Sequence, residues 1–493
     1  MRILLTTLNS KYVHSNLALK YLYHAALEEL GDTADHSVVL QEFTINNPME
    51  YVYGELVRGD YDLVCFSVYI WNVEKVKALA SKLKEACPAV KILMGGPEVS
   101  YDTESFLAEE PYVDYVICGE GEGLFRALCR DIAAGKSLPE TQSVIRKAGD
   151  GGFDDWENIP FPYEKLPVEE DKVIYYETSR GCPYRCAYCL SSIDKGIRSM
   201  PPDRVKRELS FFIERNVKQV KLIDRTFNYD RERTFEIWRF LIENDNGRTN
   251  FHFEICGELL DDGLIELLKT ARPGLFQFEV GIQSTCPEAL TAVNRRPETD
   301  KLFTNIRRVI ETGNIHMHVD LIAGLPYEGF QRFGRSFNDV YSLGADNLQL
   351  GFLKLLKGTE IRNRAAEGMY RYEKQAPYEI ISNRWISAGE LVRLKMIENV
   401  LDLYDNKGGF CLSLRNIMAL TGLDAFGFYM EFSEFFYEEG YQHRSHKKED
   451  LYRILNKFAE SKDICIREWL ENDLEATMNF DAVKKFYRKG WEI

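Results

Sequence analysis

Short apolar runs alternate with amphipathic segments along residues 1–150, the pattern of a parallel sheet wound with helices. The runs RILLTTL and DLVCFSVYI have the continuous hydrophobicity of buried strands. Between strands, NLALKYLYHAALEEL carries apolar residues at helical spacing behind Asn16, which predicts a helix capped by that side chain. Five such strands with helical crossovers predict a flavodoxin-like or Rossmann-like α/β sheet.

The pattern changes in residues 151–170, where three prolines and several acidic residues predict a linker. Six further strands separated by helical stretches then predict a partial (β/α)6 barrel over residues 171–358. In such a barrel the chemistry is expected at the C-terminal ends of the strands. Residues 359–493 lack strand patterns and are rich in aromatic residues, which predicts a mainly α-helical C-terminal domain.

The composition indicates the class of protein and excludes some kinds of partner. A hydrophobic content of 45% and a charged content of 28% are ordinary for a soluble globular chain. We see neither a signal peptide nor an apolar run long enough to cross a bilayer, so we expect a cytoplasmic protein without a membrane partner. The net charge of −15 argues against a nucleic-acid partner, and the 11 cysteines indicate free thiols rather than a disulfide framework.

The most specific motif is ETSRGCPYRCAYCLSS, which spaces Cys182, Cys186 and Cys189 as Cys-x-x-x-Cys-x-x-Cys directly after the first barrel strand. Cysteine thiolates bind iron–sulfur clusters, and a cubane normally takes four ligands. Three cysteines would therefore leave one iron open to an amine and a carboxylate. A structural zinc site and a conventional cluster completed by a distant cysteine are the alternatives.

With this motif and the two predicted domains, the chain resembles the cobalamin-binding branch of the radical S-adenosylmethionine (SAM) superfamily over residues 1–360. The resemblance implies that Cys182, Cys186 and Cys189 ligate a [4Fe–4S] cluster and that SAM chelates the fourth iron. Reduction would then cleave SAM to methionine and a 5′-deoxyadenosyl radical, which abstracts a hydrogen from the substrate. The implied partner is a low-potential electron donor, flavodoxin or ferredoxin.

Segments after the cysteines resemble, in order, those with which the family binds SAM. The segment LIDRTFN lacks the Gly-Gly-Glu common at the second strand and offers Asp224 and Asn228 instead. The other residues that the resemblance implies for SAM binding are Tyr188 beside the last cysteine, Glu279 and Gln283 on the fourth strand, Arg295 (or Arg296) for the methionine carboxylate, and Gly324 in IAGLP.

Strand alternation adds candidate polar residues in the barrel interior. Gln277, Glu279, Gly281 and Gln283 share one face of their strand. In the neighbouring strands His252, Glu254 and Cys256 share a face, as do His318 and Asp320. These side chains are either acid–base and substrate groups or satisfied polar residues of the core.

Glycine-rich turns follow the fourth and fifth strands of the first sheet, MGGPEVS and CGEGE. Glycines there permit close approach of a ligand to the backbone, although tight βα turns use them too. No G-x-G-x-x-G follows the first strand, which argues against a dinucleotide site. By resemblance, eight residues of the turns hold the nucleotide tail of cobalamin: Gly95, Gly96, Pro97, Glu98, Gly119, Glu120, Gly121 and Glu122.

Many cobalamin domains bind cobalt through the histidine of an Asp-x-His-x-x-Gly motif, which this sequence lacks. The resemblance therefore implies cobalamin without a histidine ligand from the protein. The segment SVYIWN after the third strand would approach the lower face, with Ser67 as a contact and Trp71 or Tyr69 as the cover. A plain core position for Trp71 is the alternative.

Together these inferences predict a cobalamin-dependent radical SAM enzyme that methylates an unactivated carbon of a small-molecule or peptide substrate. By analogy with the family, one SAM would methylate cob(I)alamin and another would generate the radical. Nearby alternatives are methylation of phosphorus and a ring contraction or cyclisation without methyl transfer. An alternative of another class is a sensor or carrier that binds the cluster and cobalamin without turnover.

Overall fold

Six parallel strands form the N-terminal sheet in the computed structural model, which describes residues 1–31, 35–146, 156–193 and 196–491. The strands are β1 (Arg2–Asn9), β2 (Ser37–Thr44), β3 (Leu63–Ser67), β4 (Lys91–Gly95), β5 (Tyr115–Ile117) and β6 (Ser143–Ile145). Their order, β2-β1-β3-β4-β5-β6, is the flavodoxin-like order with one strand added, which confirms the predicted fold class. The prediction of five strands was wrong by one, because β6 has only three half-buried residues and leaves little hydrophobic signal.

Helices cover both faces of this sheet. They are α1 (Leu17–Leu30), α2 (Met49–Arg58), α3 (Val73–Ala86), α4 (Pro97–Ser100), α5 (Thr103–Glu109) and α6 (Glu122–Ala133). The helices α1 and α6 pack on one face, and α2, α3 and α5 pack on the other. Asn16 caps α1 as expected, since its side chain accepts a hydrogen bond from the backbone of Leu19. With both faces covered, the sheet can meet a ligand only at its loops.

The structure describes only part of the predicted linker. Of residues 151–170, residues 151–155 lie outside the described residues. The remainder is packed rather than extended: Trp156, Phe161 and Tyr163 are buried and belong to the same hydrophobic core as the barrel. The prolines therefore mark turns in a segment that joins the barrel.

The second sheet is an open barrel. Its strands are β7 (Ile174–Tyr176), β8 (Gln219–Leu222), β9 (Asn250–Glu254), β10 (Phe276–Gln283), β11 (His316–Ala323) and β12 (Asn347–Phe352). All are parallel and lie side by side in chain order, and β7 does not pair with β12 within the described residues. This is the partial (β/α)6 barrel that the sequence predicts.

The outer layer of the barrel is helical. Its helices are α7 (Pro202–Glu214), α8 (Arg231–Glu243), α9 (Asp262–Leu268), α10 (Pro287–Ala292), α11 (Thr299–Ile310) and α12 (Phe330–Tyr341). Strand β10 alternates fully between a buried and a half-exposed residue. Phe278 packs on Trp238 of α8, whereas Gln277 and Glu279 point into the barrel interior, as strand alternation predicts. The barrel therefore has an apolar outer core and a polar lumen.

The chain after the barrel is mainly helical. Its helices are α13 (Glu360–Asn363), α14 (Ala388–Leu401), α15 (Cys411–Thr421), α16 (Ala425–Glu438), α17 (Lys448–Ser461), α18 (Arg467–Thr477) and α19 (Phe480–Lys489). The expectation that no strands follow the barrel was wrong at one place, where Arg371–Tyr372 pairs antiparallel with Ile380–Ser382. These strands are too short to leave an alternating pattern. Among the described residues, no helix is both long and apolar enough to cross a membrane.

Candidate active site

A cavity of about 700 Å³ lies between the C-terminal edge of the first sheet and the barrel. Its first wall consists of the loops after β1, β3, β4 and β5, and its second wall consists of residues on and after β7, β8 and β9. Nine of the ten residues proposed from sequence to contact cobalamin line the first wall: Ser67, Trp71, Gly95, Gly96, Pro97, Gly119, Glu120, Gly121 and Glu122. The fold thus brings the glycine turns into one space with the barrel.

Glu98 is the exception. Its side chain is buried away from the cavity and accepts a hydrogen bond of 2.8 Å from the hydroxyl of Tyr378, in the chain after the barrel. Burial raises the pKa of this carboxyl. Glu98 therefore connects the first sheet to the C-terminal region in this structure, a role that its position in the turn did not indicate.

Glycine is favoured in the two turns for different physical reasons. At Gly96 the backbone has φ +114°, and a Cβ would lie 2.4 Å from the carbonyl oxygen of Val68, so the turn itself requires glycine. At Gly119 φ is +83°, and no atom of the described residues lies within 4 Å of where a Cβ would be. Gly119 thus combines a left-handed backbone with open space at the cavity.

Trp71 is not a core residue. Its side chain is 43% exposed, it lines the cavity, and its ring stacks on Tyr69 with centroids 4.5 Å apart and planes 5° from parallel. The indole Nε1 donates a hydrogen bond of 3.1 Å to the carbonyl of Leu8, which holds the ring in place. The alternative of a buried aromatic is therefore excluded, and a flat apolar surface faces the cavity.

An arginine links the two walls next to the cysteine loop. Arg180, two residues before Cys182, pairs through Nη1 with Glu120 at 3.1 Å and through Nη2 with Glu122 and Glu177 at 2.6 Å each. Arg198, on the strand that pairs with Ser179–Arg180, also pairs with Glu120. The two glutamates of the CGEGE turn thus bind the base of the cysteine loop.

The three cysteines lie on one loop after β7. Cys186 is buried and Cys182 and Cys189 are partly exposed; the amide of Ala187 donates to the carbonyl of Val293 and anchors the loop. Within the described residues, no three His, Cys, Asp or Glu side chains converge as they would around a single metal ion. A cubane cluster binds each thiolate through a different iron, so its cysteines need not meet at one point.

A fourth cysteine, Cys256, lies beside this loop; the sequence indicated its strand face but not this proximity. The hydroxyl of Tyr184 is 3.1 Å from Sγ of Cys256, and that thiol also lies 3.4 Å from a carboxylate oxygen of Glu258. Burial raises the pKa of the Cys256 thiol to about 11. Through Tyr184, Cys256 thus contacts the cysteine loop. The only available signal was that Cys256 shares a strand face with Glu254.

Asp224 and Asn228, which the sequence offers in place of Gly-Gly-Glu, both form hydrogen bonds with other residues of the protein. Asp224 is fully buried and accepts hydrogen bonds from the backbone and hydroxyl of Thr178 and from the hydroxyl of Ser179. Asn228 donates to the carbonyl of Cys256 and accepts from its amide, at 2.8 Å each. Both side chains therefore hold strand ends together, beside the cysteine loop.

Arg295 has a free donor next to the cysteines. Its guanidinium donates to the carbonyl of Gly281, and its charge acts on the side chains of Tyr188 and Cys186. Its Nε is buried and has no hydrogen-bond partner among the described residues. A buried N–H of this kind fits a carboxylate ligand. Gly324 instead packs against the chain after the barrel, because a Cβ there would lie 2.9 Å from Ile380.

In the lumen of the barrel, Glu279 is paired with basic groups, whereas Asp320 forms no ion pair among the described residues. Glu279 contacts His252 and Lys221 at 3.1 Å each, and these two lower the pKa of Glu279 to about 2. Burial, with the nearby charges of Glu279 and Glu254, raises the pKa of Asp320 to about 8. The Oδ1 of Asp320 is buried, and no described residue forms a hydrogen bond with it. The lumen can therefore hold a proton at neutral pH.

Family models match three segments of the chain. Residues 3–129 match the B12 binding domain, residues 176–340 match the Radical SAM superfamily, and residues 367–491 match a family described as a protein of unknown function (DUF4080).

Two curated relatives are methyltransferases by name. A 2-(S-pantetheinyl)-carbapenam-3-carboxylate methyltransferase of Streptantibioticus cattleyicolor is 29% identical over 58% of this chain and 45% of the relative. The cobalamin-dependent radical SAM methyltransferase TokK of Streptomyces tokunonensis is 28% identical over 56% of this chain and 44% of the relative. The chain thus spans less than half the length of these relatives.

Two solved structures share the fold. The cobalamin-dependent SAM radical enzyme OxsB covers 100% of this chain and 84% of its own, with a TM-score of 0.63 and 13% identity. The radical SAM methyltransferase TsrM from Kitasatospora setae covers 74% of each chain, with a TM-score of 0.59 and 17% identity. The chain thus contains a B12 binding domain followed by a Radical SAM domain, in the fold of the cobalamin-dependent radical SAM enzymes OxsB and TsrM.

Proposed function

We propose that the protein is a cobalamin-dependent radical SAM methyltransferase that acts on an unactivated carbon. The observation that carries this proposal is the shared cavity. It joins the C-terminal edge of the first sheet to the barrel at Arg180, two residues before Cys182. A methyl carrier in one wall and a radical source in the other would then reach the same substrate.

The residues present fit the cofactors that this function needs. Ser15 Oγ and Glu122 Oε2 are buried in cavity-lining residues and have no hydrogen-bond partner in the part of the chain that the structure describes. They suit the amides of a corrin ring. The stacked pair of Tyr69 and Trp71 offers a flat apolar cover for one face of such a ring. In the barrel, Arg295 has a free N–H for the carboxylate of SAM.

When bound, the cluster supplies the electron for cleavage of SAM, and cobalamin supplies the methyl group. The thiolates of Cys182, Cys186 and Cys189 would hold the cluster, and Arg295 would orient the cosubstrate beside Cys186. Trp71 would exclude water from one face of the corrin. Arg180 would maintain the distance between the two walls through its ion pairs with Glu120 and Glu122.

Two alternatives use the same parts differently. A ring contraction or cyclisation would need both cofactors but no methyl transfer, and a sensor or carrier would bind them without cleaving SAM. The names of the curated relatives favour methyl transfer. Among methyl acceptors, a carbon that needs a radical explains why a SAM-cleaving barrel accompanies a methyl carrier.

The test is anaerobic purification, cluster reconstitution with hydroxocobalamin, and incubation with methyl-deuterated SAM and a strong reductant. We expect 5′-deoxyadenosine, stoichiometric cobalamin and deuterated methyl-cobalamin by mass spectrometry. Cys186→Ala should abolish deoxyadenosine, whereas Cys465→Ala, at an exposed cysteine on another part of the chain, should not.

Each other outcome has a distinct meaning. Deoxyadenosine without bound cobalamin would refute the role of the first sheet. Deoxyadenosine and cobalamin without label on cobalt would favour a rearrangement. Protein with a full cluster that forms neither product nor a cobalamin complex would refute the enzyme.

A further inference from the structure

Among its described residues, the barrel wall of the cavity contains one cation that forms no ion pair. Arg225 follows the buried Asp224 after β8, lines the cavity and is exposed there. Among the described residues, its guanidinium makes no hydrogen bond, ion pair or ring contact. An arginine in that state retains all five N–H donors for a ligand.

The other basic groups of this cavity are committed. Arg180 is held by three carboxylates, and Nζ of Lys221 lies 3.1 Å from Glu279. Nδ1 of His14 is 2.7 Å from the hydroxyl of Tyr175, and burial lowers the pKa of this histidine, which favours its neutral form. Arg225 is therefore the free positive charge among the described lining residues.

Glu254, on the adjacent strand, does not neutralise Arg225. The charge of Arg225 acts on this carboxyl, yet the two side chains form no ion pair within 4.0 Å in the described chain. Burial is the larger influence on Glu254 and raises the pKa of its carboxyl. The pair thus presents a guanidinium and a protonatable carboxyl side by side, both open to the cavity.

Arg225 also has a position that suits substrate binding. The next residue, Thr226, has its hydroxyl 3.6 Å from Sγ of Cys182. On the opposite side of the cavity lie Trp71 and the glycine turns. A group held by Arg225 would therefore lie between the cysteine loop and the loop edge of the first sheet.

We propose that Arg225 binds a carboxylate or phosphate group of the substrate and thereby selects an anionic substrate class. The planar guanidinium matches the geometry of either oxyanion in a two-pronged hydrogen bond. In a chain of net charge −15, one free arginine in a cavity makes anion recognition local and specific. This inference rests on the proposed function, since it assigns the anion to the substrate.

Two cofactors could supply an oxyanion as well. Cobalamin has a phosphodiester in its nucleotide tail, but the turns proposed for that tail lie on the opposite wall from Arg225. SAM has a carboxylate, for which Arg295 provides a free donor beside Cys186. The structure therefore favours the substrate as the source.

The test uses holoenzyme with cluster, cobalamin and SAM, titrated anaerobically by calorimetry with phenylacetate and its neutral isostere phenylacetamide. We expect phenylacetate to bind wild type and to bind Arg225→Gln roughly tenfold or more weakly. Arg225→Lys should lie between them, since it retains the charge but not the fork. Phenylacetamide should not distinguish wild type from Arg225→Gln.

The matched control is Arg239→Gln on α8, where the arginine lies at the surface 3.9 Å from Glu243. It should bind phenylacetate as wild type does. Equal binding of phenylacetate by wild type and Arg225→Gln, or none by wild type, would overturn the proposal. So would a loss of cobalamin stoichiometry or SAM affinity in Arg225→Gln, because the anion would then belong to a cofactor.

The proposed function can fail separately. If phenylacetate binding depends on Arg225 but reduced holoenzyme forms no deoxyadenosine, the anion site stands and the methyltransferase does not.

Discussion

The two parallel sheets of this protein are built from the same kind of βα unit, yet they expose polar groups in different places. Helices cover both faces of the first sheet, so Val64 and Cys65, neighbours on β3, are both buried in separate clusters. Around the barrel, helices cover only the outside, and β10 alternates between core and lumen. A sheet with helices on both faces can bind ligands only through its loops. In an open barrel with helices only outside, every second residue of a strand faces the lumen and can contact a ligand.

The largest effect is expected where the two sheets meet. Arg180→Gln should lower the free energy of unfolding by about 3–5 kcal/mol, because it leaves carboxylates of both domains close together without their cation. Arg180 is only 13% exposed, so water cannot replace the guanidinium well. Thermal unfolding of the purified apoprotein is the measurement.

Arg130→Gln is the control for Arg180. Arg130 pairs with Glu29 at 2.9 Å but is 66% exposed, so its loss should cost no more than about 1 kcal/mol. If both variants lose equally little free energy of unfolding, the ion pairs of Arg180 do not stabilise the contact between the two sheets.

A second prediction tests the covered faces directly. Leu93→Ala and Met94→Ala, at neighbouring positions of β4, should each cost about 2–5 kcal/mol, because each side chain belongs to a different buried cluster. On β10, Phe278→Ala should cost about 3–5 kcal/mol, whereas Gln277→Ala should cost only about 1 kcal/mol for a lost hydrogen bond.

Urea unfolding, followed by far-ultraviolet circular dichroism, measures these four variants. A large loss of unfolding free energy in only one of Leu93→Ala and Met94→Ala would contradict helical cover on both faces of the first sheet. Equal costs at Phe278 and Gln277 would contradict a solvent-accessible lumen.

A third prediction concerns the lumen alone. The pKa of Asp320 is raised from 3.8 to about 8, so the folded protein retains a proton there that the unfolded chain releases near pH 4. The resulting stabilisation is complete below about pH 4 and is lost as the pH rises through 8. Asp320→Asn, which cannot ionise, should remove this decline and be the more stable variant at pH 9.

Unfolding midpoints between pH 5 and pH 9 measure the effect, with a slope of at most one proton per molecule. Asp262→Asn, at an exposed position of α9, should follow the wild-type curve. A wild-type midpoint that rises toward pH 9 while that of Asp320→Asn stays level would show that Asp320 has the opposite linkage.

Much of the architecture could be predicted because it depends on short-range pattern. Continuous apolar runs identified the covered strands, alternation identified the lumen residues of β10, and Asn16 identified a helix cap. The three-residue β6 and the short antiparallel pair after the barrel gave too few residues for a pattern. The cysteine spacing was equally local, since one loop contains all three cysteines.

The site was harder to predict because its contacts join distant residues. Glu122 and Arg180 are 58 positions apart, and Tyr184 and Cys256 are 72 apart. No local pattern distinguishes a glutamate that pairs with an arginine of another domain from one that contacts a ligand. The same holds for Glu98, whose partner Tyr378 follows the whole barrel.

By itself, then, the sequence determined the two sheets, the cysteine loop and the loops that line the cavity, because each depends on neighbouring residues and backbone preference. Only the tertiary structure decided which charges are neutralised. Arg180 and Arg225 look alike in sequence, but three carboxylates surround the first and none pairs with the second in the described chain. Charge pairing depends on distance in space, and packing of the two sheets sets that distance.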